Sequence, residues 1–161
     1  MKDIELKIGA KAPQFCLPDK NEKLVCIEDF SGRWLILYFY PKDNTSGCTL
    51  EAVEFTYEKD WFDSRGAVIV GISPDSPQSH CKFIDKHNLG IILLSDVQKE
   101  VVAKFGVWQL KKMAGREYYG VLRSTFIIDP EGNIAHFWQK VSVKDHIDQV
   151  KSKYEELLAS K

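Results

Sequence analysis

The run WLILYFYPKDNTSGCTLEA, Trp34–Ala52, joins two kinds of local order. Trp34–Tyr40 is continuously apolar, as expected of a strand buried on both faces. Pro41 stops it by removing an N–H and fixing φ. A polar turn follows, and Cys48 falls where a helix begins. A thiol there sits among free backbone N–H groups at the positive end of the helix dipole, an arrangement that favours an anion. Thr45 and Ser46 are the N-cap candidates, and Gly47 lets the backbone approach closely. An inert core thiol is the commoner role for a free cysteine in an α/β protein, so the local reading leaves both roles open.

Working outward, the helix is predicted over about Cys48–Arg65, with Leu50, Val53, Tyr57 and Trp61 at helical spacing on one side. Gly66 ends it as a C′ glycine, and AVIVGI (67–72) reads as a second buried strand. SPDSP punctuates, and Pro77 opens a helix to about Leu89. Leu93–Leu94 is a short strand candidate and Gln98–Phe105 a short helix. STFIID (124–129) and NIAHFW (133–138) flank the turn PEGN. Ser142 with Asp145 reads as a capping pair for a last helix striped by Ile147, Val150, Tyr154 and Leu157. Before all of these, Phe15–Leu17 and Leu24–Ile27 flank the turn DKNEK. The order is βαβ, then ββα. It predicts a thioredoxin-like α/β fold with an N-terminal β extension, a central mixed sheet flanked by helices, in one domain over residues 1–161.

Acids and bases nearly cancel, at net charge −1, so the basic footprint of a nucleic-acid binder is missing. No run of about 18 apolar residues suggests a membrane span, and MKDIELKIGAKAPQF lacks the apolar core of a signal peptide. The expectation is a cytoplasmic protein. In that compartment the four cysteines, Cys16, Cys26, Cys48 and Cys81, are expected not to form permanent disulfides. Cys16 and Cys26 alternate with apolar neighbours, which points to core or hairpin packing. There is no CxxC and no common zinc spacing; His80 and His87 lie seven apart with no second ligand pair. Neither a metal nor an organic cofactor is expected.

A nucleophilic Cys48 needs a cation. Arg123, just before the buried STFIID, is the candidate, and Glu51 could orient it through a charge-assisted fork. Alone, Arg123 is a solvated strand-end charge and Glu51 a favourable first-turn acid. YFYPKDNTSGCTLE resembles the peroxiredoxin active-site motif, proline-xxx-Thr-xx-Cys, with Pro41, Thr45 and Cys48 on its fixed positions. APQFCLPD, VGISPDSPQSH, KFIDKHNLGIILLSD, FGVWQLKKMAGREYYGVLRSTFIIDPEG and VSVKDH extend the resemblance along almost the whole chain, to the bacterioferritin-comigratory-protein or peroxiredoxin Q branch. The resemblance implies a thiol peroxidase that reduces hydrogen peroxide and organic hydroperoxides through a cysteine sulfenic acid. It assigns Cys48 as the peroxidatic cysteine, Thr45 as the hydroxyl that bonds the peroxide, and Arg123 as the guanidinium that holds thiolate and peroxide together. Pro41 shields the thiol and Glu51 positions Arg123. A thioredoxin-type thiol is the implied reductant, and a monomer or weak homodimer the implied state. The resemblance also places the loop Lys111–Tyr119 beside the site; on its own it reads as solvated loop.

Reduction of the sulfenic acid is where the chain departs from the pattern. A resolving cysteine five positions after Cys48 is replaced by Val53, and the position used by a second family type corresponds to Ile84. Cys81 lies three residues before Ile84, on nearly the same helical face. Three routes stay open: Cys81 resolves Cys48 within the chain, an external thiol reduces Cys48 directly, or Cys16 or Cys26 takes part, across a dimer in one version. Rival classes are a general dithiol oxidoreductase, which would carry CxxC, and a non-catalytic binding module on the same fold, which would carry a broken site.

Overall fold

The protein is described here by a computed structural model over residues 6–160. Residues 1–5, part of the segment read for a leader, lie outside the described residues. In chain order the elements are β1 (Cys16–Pro18), β2 (Leu24–Cys26), a 3-10 turn (Ile27–Phe30), β3 (Trp34–Phe39), α1 (Ser46–Tyr57), α2 (Lys59–Asp63), β4 (Ala67–Ser73), α3 (Pro77–His87) and β5 (Ile92–Ser95). Then come α4 (Glu100–Lys104), β6 (Trp108–Met113), β7 (Arg116–Val121), β8 (Ser124–Ile128), β9 (Ile134–Trp138) and α5 (His146–Ala159). The central sheet runs β5-β4-β3-β8-β9, with β3 parallel to β4, β4 parallel to β5, and the pairs β3/β8 and β8/β9 antiparallel. It is the mixed α/β sheet expected from the element order.

Every residue of β3 is buried because it is the middle strand and both its faces are covered. Successive side chains alternate between faces. Leu35, Leu37 and Phe39 join one apolar cluster with Phe15, Leu17, Ile27, Phe105 and Phe126. Trp34, Ile36, Tyr38 and Tyr40 join the other, with Cys48, Phe55, Phe62, Phe83 and Tyr154. The N-terminal hairpin therefore covers one face of the sheet, and the helix bearing Cys48 covers the opposite face.

Several local expectations are corrected. The helix predicted from Cys48 to Arg65 starts at Ser46 and breaks at Glu58 into α1 and α2. Its buried face is Cys48, Glu51, Ala52 and Phe55, while Leu50, Val53 and Tyr57 face solvent, Tyr57 at 86% exposure. Two apolar phases fit this helix at 3.6-residue spacing. The winning phase stacks Phe55 on Tyr38, with ring centroids 4.7 Å apart. Ser142 does not cap α5: the N-cap position is Asp145, in the left-handed region, with no side-chain cap bond. The segment Lys111–Tyr119 is not a loop. β6 and β7 form an antiparallel hairpin around Ala114–Gly115, both at positive φ. Alanine gives no signal for such a turn, and the mostly exposed strands show no apolar alternation.

Cys16 and Cys26 are joined in a disulfide, against the expectation of free packing thiols. They lie directly opposite on β1 and β2. Ile27 N–H donates to the Phe15 carbonyl and Asp19 N–H to the Lys23 carbonyl. Counting from those bonds, the cysteines occupy a non-hydrogen-bonded pair, where facing side chains come closest. Pro18 occupies another, so its missing N–H leaves the ladder intact. Register across the turn brings the sulfurs together, and composition cannot report register.

Candidate active site

The β3–α1 connection builds the site. Thr45 is the N-cap of α1, yet its hydroxyl donates back to the Lys42 carbonyl at 2.9 Å and not to the helix. The first-turn N–H groups thus receive no side-chain cap. Cys48 stands in this first turn, 1% exposed. Pro41, half-buried, turns the chain out of β3 above it.

Arg123 enters from between β7 and β8. Its Nη2 donates to Cys48 Sγ at 3.2 Å, and its Nη1 donates to Glu51 Oε1 at 2.7 Å. One planar guanidinium is therefore fixed at both ends, by the sulfur and by a carboxylate one turn further along α1. Gly47 makes room for it: a Cβ there would lie 3.2 Å from Arg123 Nη2. Burial alone would lower the Arg123 pKa, but Glu51 and Cys48 outweigh it and raise it, so the charge is permanent. Glu51 is fully buried and its second oxygen, Oε2, has no hydrogen-bond partner. Burial pushes its carboxyl up to about 7, although Arg123 pulls the other way through charge and hydrogen bond. The 2.7 Å ion pair and the raised pKa describe opposed effects, and desolvation is the larger.

Three features around this triad carry no sequence signal of their own. The Tyr38 hydroxyl is buried without a hydrogen-bond partner. Burial, then Glu51 and Cys48, raise its pKa well above the ordinary range and keep it neutral. Its ring occupies space left by Gly71, where a Cβ would fall 2.7 Å from Tyr38 Cζ. Second, Lys111 on β6 has its pKa lowered by burial and then by Arg123, against the opposing pull of Cys48. The charges of Arg123 and Cys48 thus act on Lys111 of this hairpin. Third, Asp43 is a buried hub. It accepts from Tyr40 Oη at 2.6 Å and Ser79 Oγ at 2.8 Å, faces His80 Nδ1 at 2.8 Å, and donates its backbone N–H to Asp75 at 2.8 Å. His80 Nε2 meets the Leu94 carbonyl at 3.0 Å. His80, without a partner in the sequence pattern, thus ties α3 to the Pro41–Thr45 turn. With Ser79 on Asp43 and His87 at 3.0 Å from Asn44 Oδ1, α3 holds that turn through three side chains.

Among the described cysteines, Cys48 and Cys81 are free. Cys81 is half-exposed on α3, while Ile84 one turn later packs into the same cluster as Cys48. The structure brings Cys48, Arg123 and Glu51 together. Thr45 and Pro41 flank them, and Cys81 stays on its own helix.

The AhpC/TSA family matches residues 8–137. Peroxiredoxin Bcp of Bacillus subtilis is 46% identical over 144 residues, covering 89% of this chain and 92% of the relative. The chain belongs to the AhpC/TSA family and is a peroxiredoxin of the Bcp/PrxQ branch. Peroxiredoxin Bcp of Escherichia coli K12 is 39% identical to this peroxiredoxin over 145 residues, covering 90% and 93% of the two chains. Solved structures agree. Xanthomonas campestris bacterioferritin comigratory protein, described for its alkyl peroxide reduction activity, matches with a TM-score of 0.84 at 36% identity, covering 88% and 90%. A Xylella fastidiosa PrxQ variant matches with a TM-score of 0.90 at 31% identity, covering 96% and 99%. The peroxiredoxin is thus a peroxidase on a thioredoxin-type fold, acting with a thiol reductant.

Proposed function

We propose that Cys48 is the peroxidatic cysteine, and that hydrogen peroxide and small alkyl hydroperoxides are its substrates. The observation that carries this reading is the Arg123 guanidinium held between Cys48 Sγ and Glu51. The thiolate attacks one peroxide oxygen, the O–O bond breaks, and negative charge develops on the departing oxygen. Protonation makes that product water or an alcohol, and the sulfur becomes a sulfenic acid. Arg123, the first-turn N–H groups and the Thr45 hydroxyl supply donors preset for that charge. Thr45 must release the Lys42 carbonyl to do so. Glu51 fixes the guanidinium, and Pro41 shields the sulfur. Cys48→Ser is expected to abolish peroxide consumption; turnover equal to wild type would refute the assignment. Arg123→Lys, which keeps charge but loses the fork, should lower kcat/KM by about 10²-fold.

For reduction we favour Cys81 as the resolving thiol, followed by a thioredoxin-like protein. Its support is the helical-face relation of Cys81 to Ile84, which belongs to the same apolar cluster as Cys48. Pairing requires local unwinding, because a disulfide needs Cα atoms within about 7 Å. The second reading, direct attack by an external thiol, is favoured by the two cysteines being free on separate folded helices. One equivalent of peroxide followed by peptide mapping separates them: a Cys48–Cys81 peptide supports the first, and sulfenylated Cys48 beside a free Cys81 the second. We further propose a monomer or weak homodimer in the cytoplasm, tested by sedimentation and by fractionation.

A further inference from the structure

The Cys16–Cys26 disulfide has no part in the chemistry above. The two sulfurs are spent on each other. The hairpin that carries them packs with Phe15, Leu17 and Ile27 on one face of the sheet, while Cys48 lies in the cluster on the other. A route from Cys48 to either sulfur within one chain would cross the central sheet.

The crosslink is not all that holds its hairpin. Backbone bonds from Ile27 to Phe15 and from Asp19 to Lys23 fix the same register, and the buried side chains of Phe15, Leu17 and Ile27 anchor both strands. Cys16 is exposed and Cys26 partly so. A disulfide that is open to solvent, in a hairpin whose register backbone bonds also fix, suits exchange better than stapling. Glu28 places its carboxylate within 4.8 Å of both sulfurs.

We propose that Cys16–Cys26 is a second thiol–disulfide exchange site, independent of Cys48, whose substrate is an external dithiol. A thiolate of that dithiol attacks the exposed Cys16 Sγ. The Cys16–Cys26 bond breaks, and Cys26 leaves as a thiolate that takes up a proton. The second thiol of the reductant then attacks the reductant's own sulfur in the mixed disulfide, and Cys16 leaves as a thiolate that takes up a proton. Two electrons pass from the dithiol, which becomes a disulfide, to a hairpin that becomes a dithiol. The negative Glu28 repels an incoming thiolate and so restrains the exchange.

The test uses the full chain with Cys48→Ser, which leaves the hairpin intact. It is treated with dithiothreitol without denaturant, then alkylated and mapped. Alkylation is expected on Cys16 and Cys26, beyond the label that the free Cys81 takes up without reductant. Labelling only in denaturant would overturn the proposal. A thioredoxin with serine in place of its buried active-site cysteine is expected to be trapped on Cys16 and not on Cys26; absence of that adduct counts against the proposed order of attack. Glu28→Gln should speed native exchange roughly fourfold, the factor for two unit charges about 5 Å apart in water. An unchanged rate would mean that the bond opens only through unfolding. The double variant Cys16→Ser, Cys26→Ser should keep wild-type peroxide turnover. Loss of that turnover in a folded variant, with a Cys48–Cys26 peptide in wild type, would place the pair inside the Cys48 cycle and refute independence.

Discussion

Glu51 has two opposing demands placed on it. Arg123 favours its charge, and complete burial disfavours it more, leaving the carboxyl at about 7. Above that pH it is an anion that grips the guanidinium; as pH falls through about 7 it takes up a proton and the ion pair loses one charge. We expect kcat/KM for peroxide to fall on the acid side with a limb near 7, and Glu51→Gln to flatten that limb. A limb that survives the substitution would belong to another group. The same shift gives stability a sign. The unfolded carboxyl releases its proton near 4.5 and the folded one near 7. Between those values the folded state binds more protons, so stability falls as pH rises. Urea midpoints at several pH values should show this slope in wild type and lose it in Glu51→Gln. None of this was readable in the sequence beyond a first-turn acid, because Glu51 is buried only in the folded chain and its Arg123 partner lies 72 residues away.

At the scale of elements, α1 shows how a site can be legible while the helix carrying it is misread. The spacing of Pro41, Thr45 and Cys48 marked the proposed nucleophile. The apolar spacing of Leu50, Val53 and Tyr57 pointed to the wrong face. Phe55→Ala should cost about 3–5 kcal/mol in urea unfolding. Tyr57→Ala, at 86% exposure, should stay within about 0.5 kcal/mol. Equal costs would contradict the observed helix phase. α3 carries a second prediction. Removing His80 takes one of three side-chain partners from the buried Asp43 and leaves the Leu94 carbonyl without its imidazole contact, so His80→Ala should cost roughly 1–3 kcal/mol. It should also depress kcat/KM measured at urea concentrations well below the unfolding midpoint, since the turn that sets Cys48 loses one of its three side-chain ties to α3. Unchanged kcat/KM would limit His80 to a structural role. His80 looked unpartnered because its partners are on the β3–α1 turn and β5.

For the whole molecule, one sheet separates the proposed peroxidatic Cys48 from the Cys16–Cys26 hairpin. Phe126 lies on the hairpin side, in ring contact with Phe39, Phe105 and Phe137. Phe126→Ala should destabilise by about 3–5 kcal/mol. The peroxidase activity of the remaining folded protein should change little, because Cys48 packs on the opposite face. A large loss of kcat/KM under native conditions would show that the faces are coupled through β3 and β8. The exposed hairpin β6–β7 needed tertiary information for a different reason. Its two-residue turn uses alanine and glycine, and its mostly exposed strands leave no alternating pattern.

The sequence alone determined what depends on local chemistry. Continuous apolar runs made buried strands, the proline and the first turn placed Cys48, and the motif spacing named the reaction. Tertiary structure decided what depends on register and on distant neighbours. It chose the buried face of α1, gave His80 its aspartate, raised the Glu51 pKa and joined Cys16 to Cys26. The physical reason is the range of each effect. Propensity and helix dipoles act over one or two turns of chain, whereas burial and cross-strand pairing depend on segments that meet only once the sheet has formed.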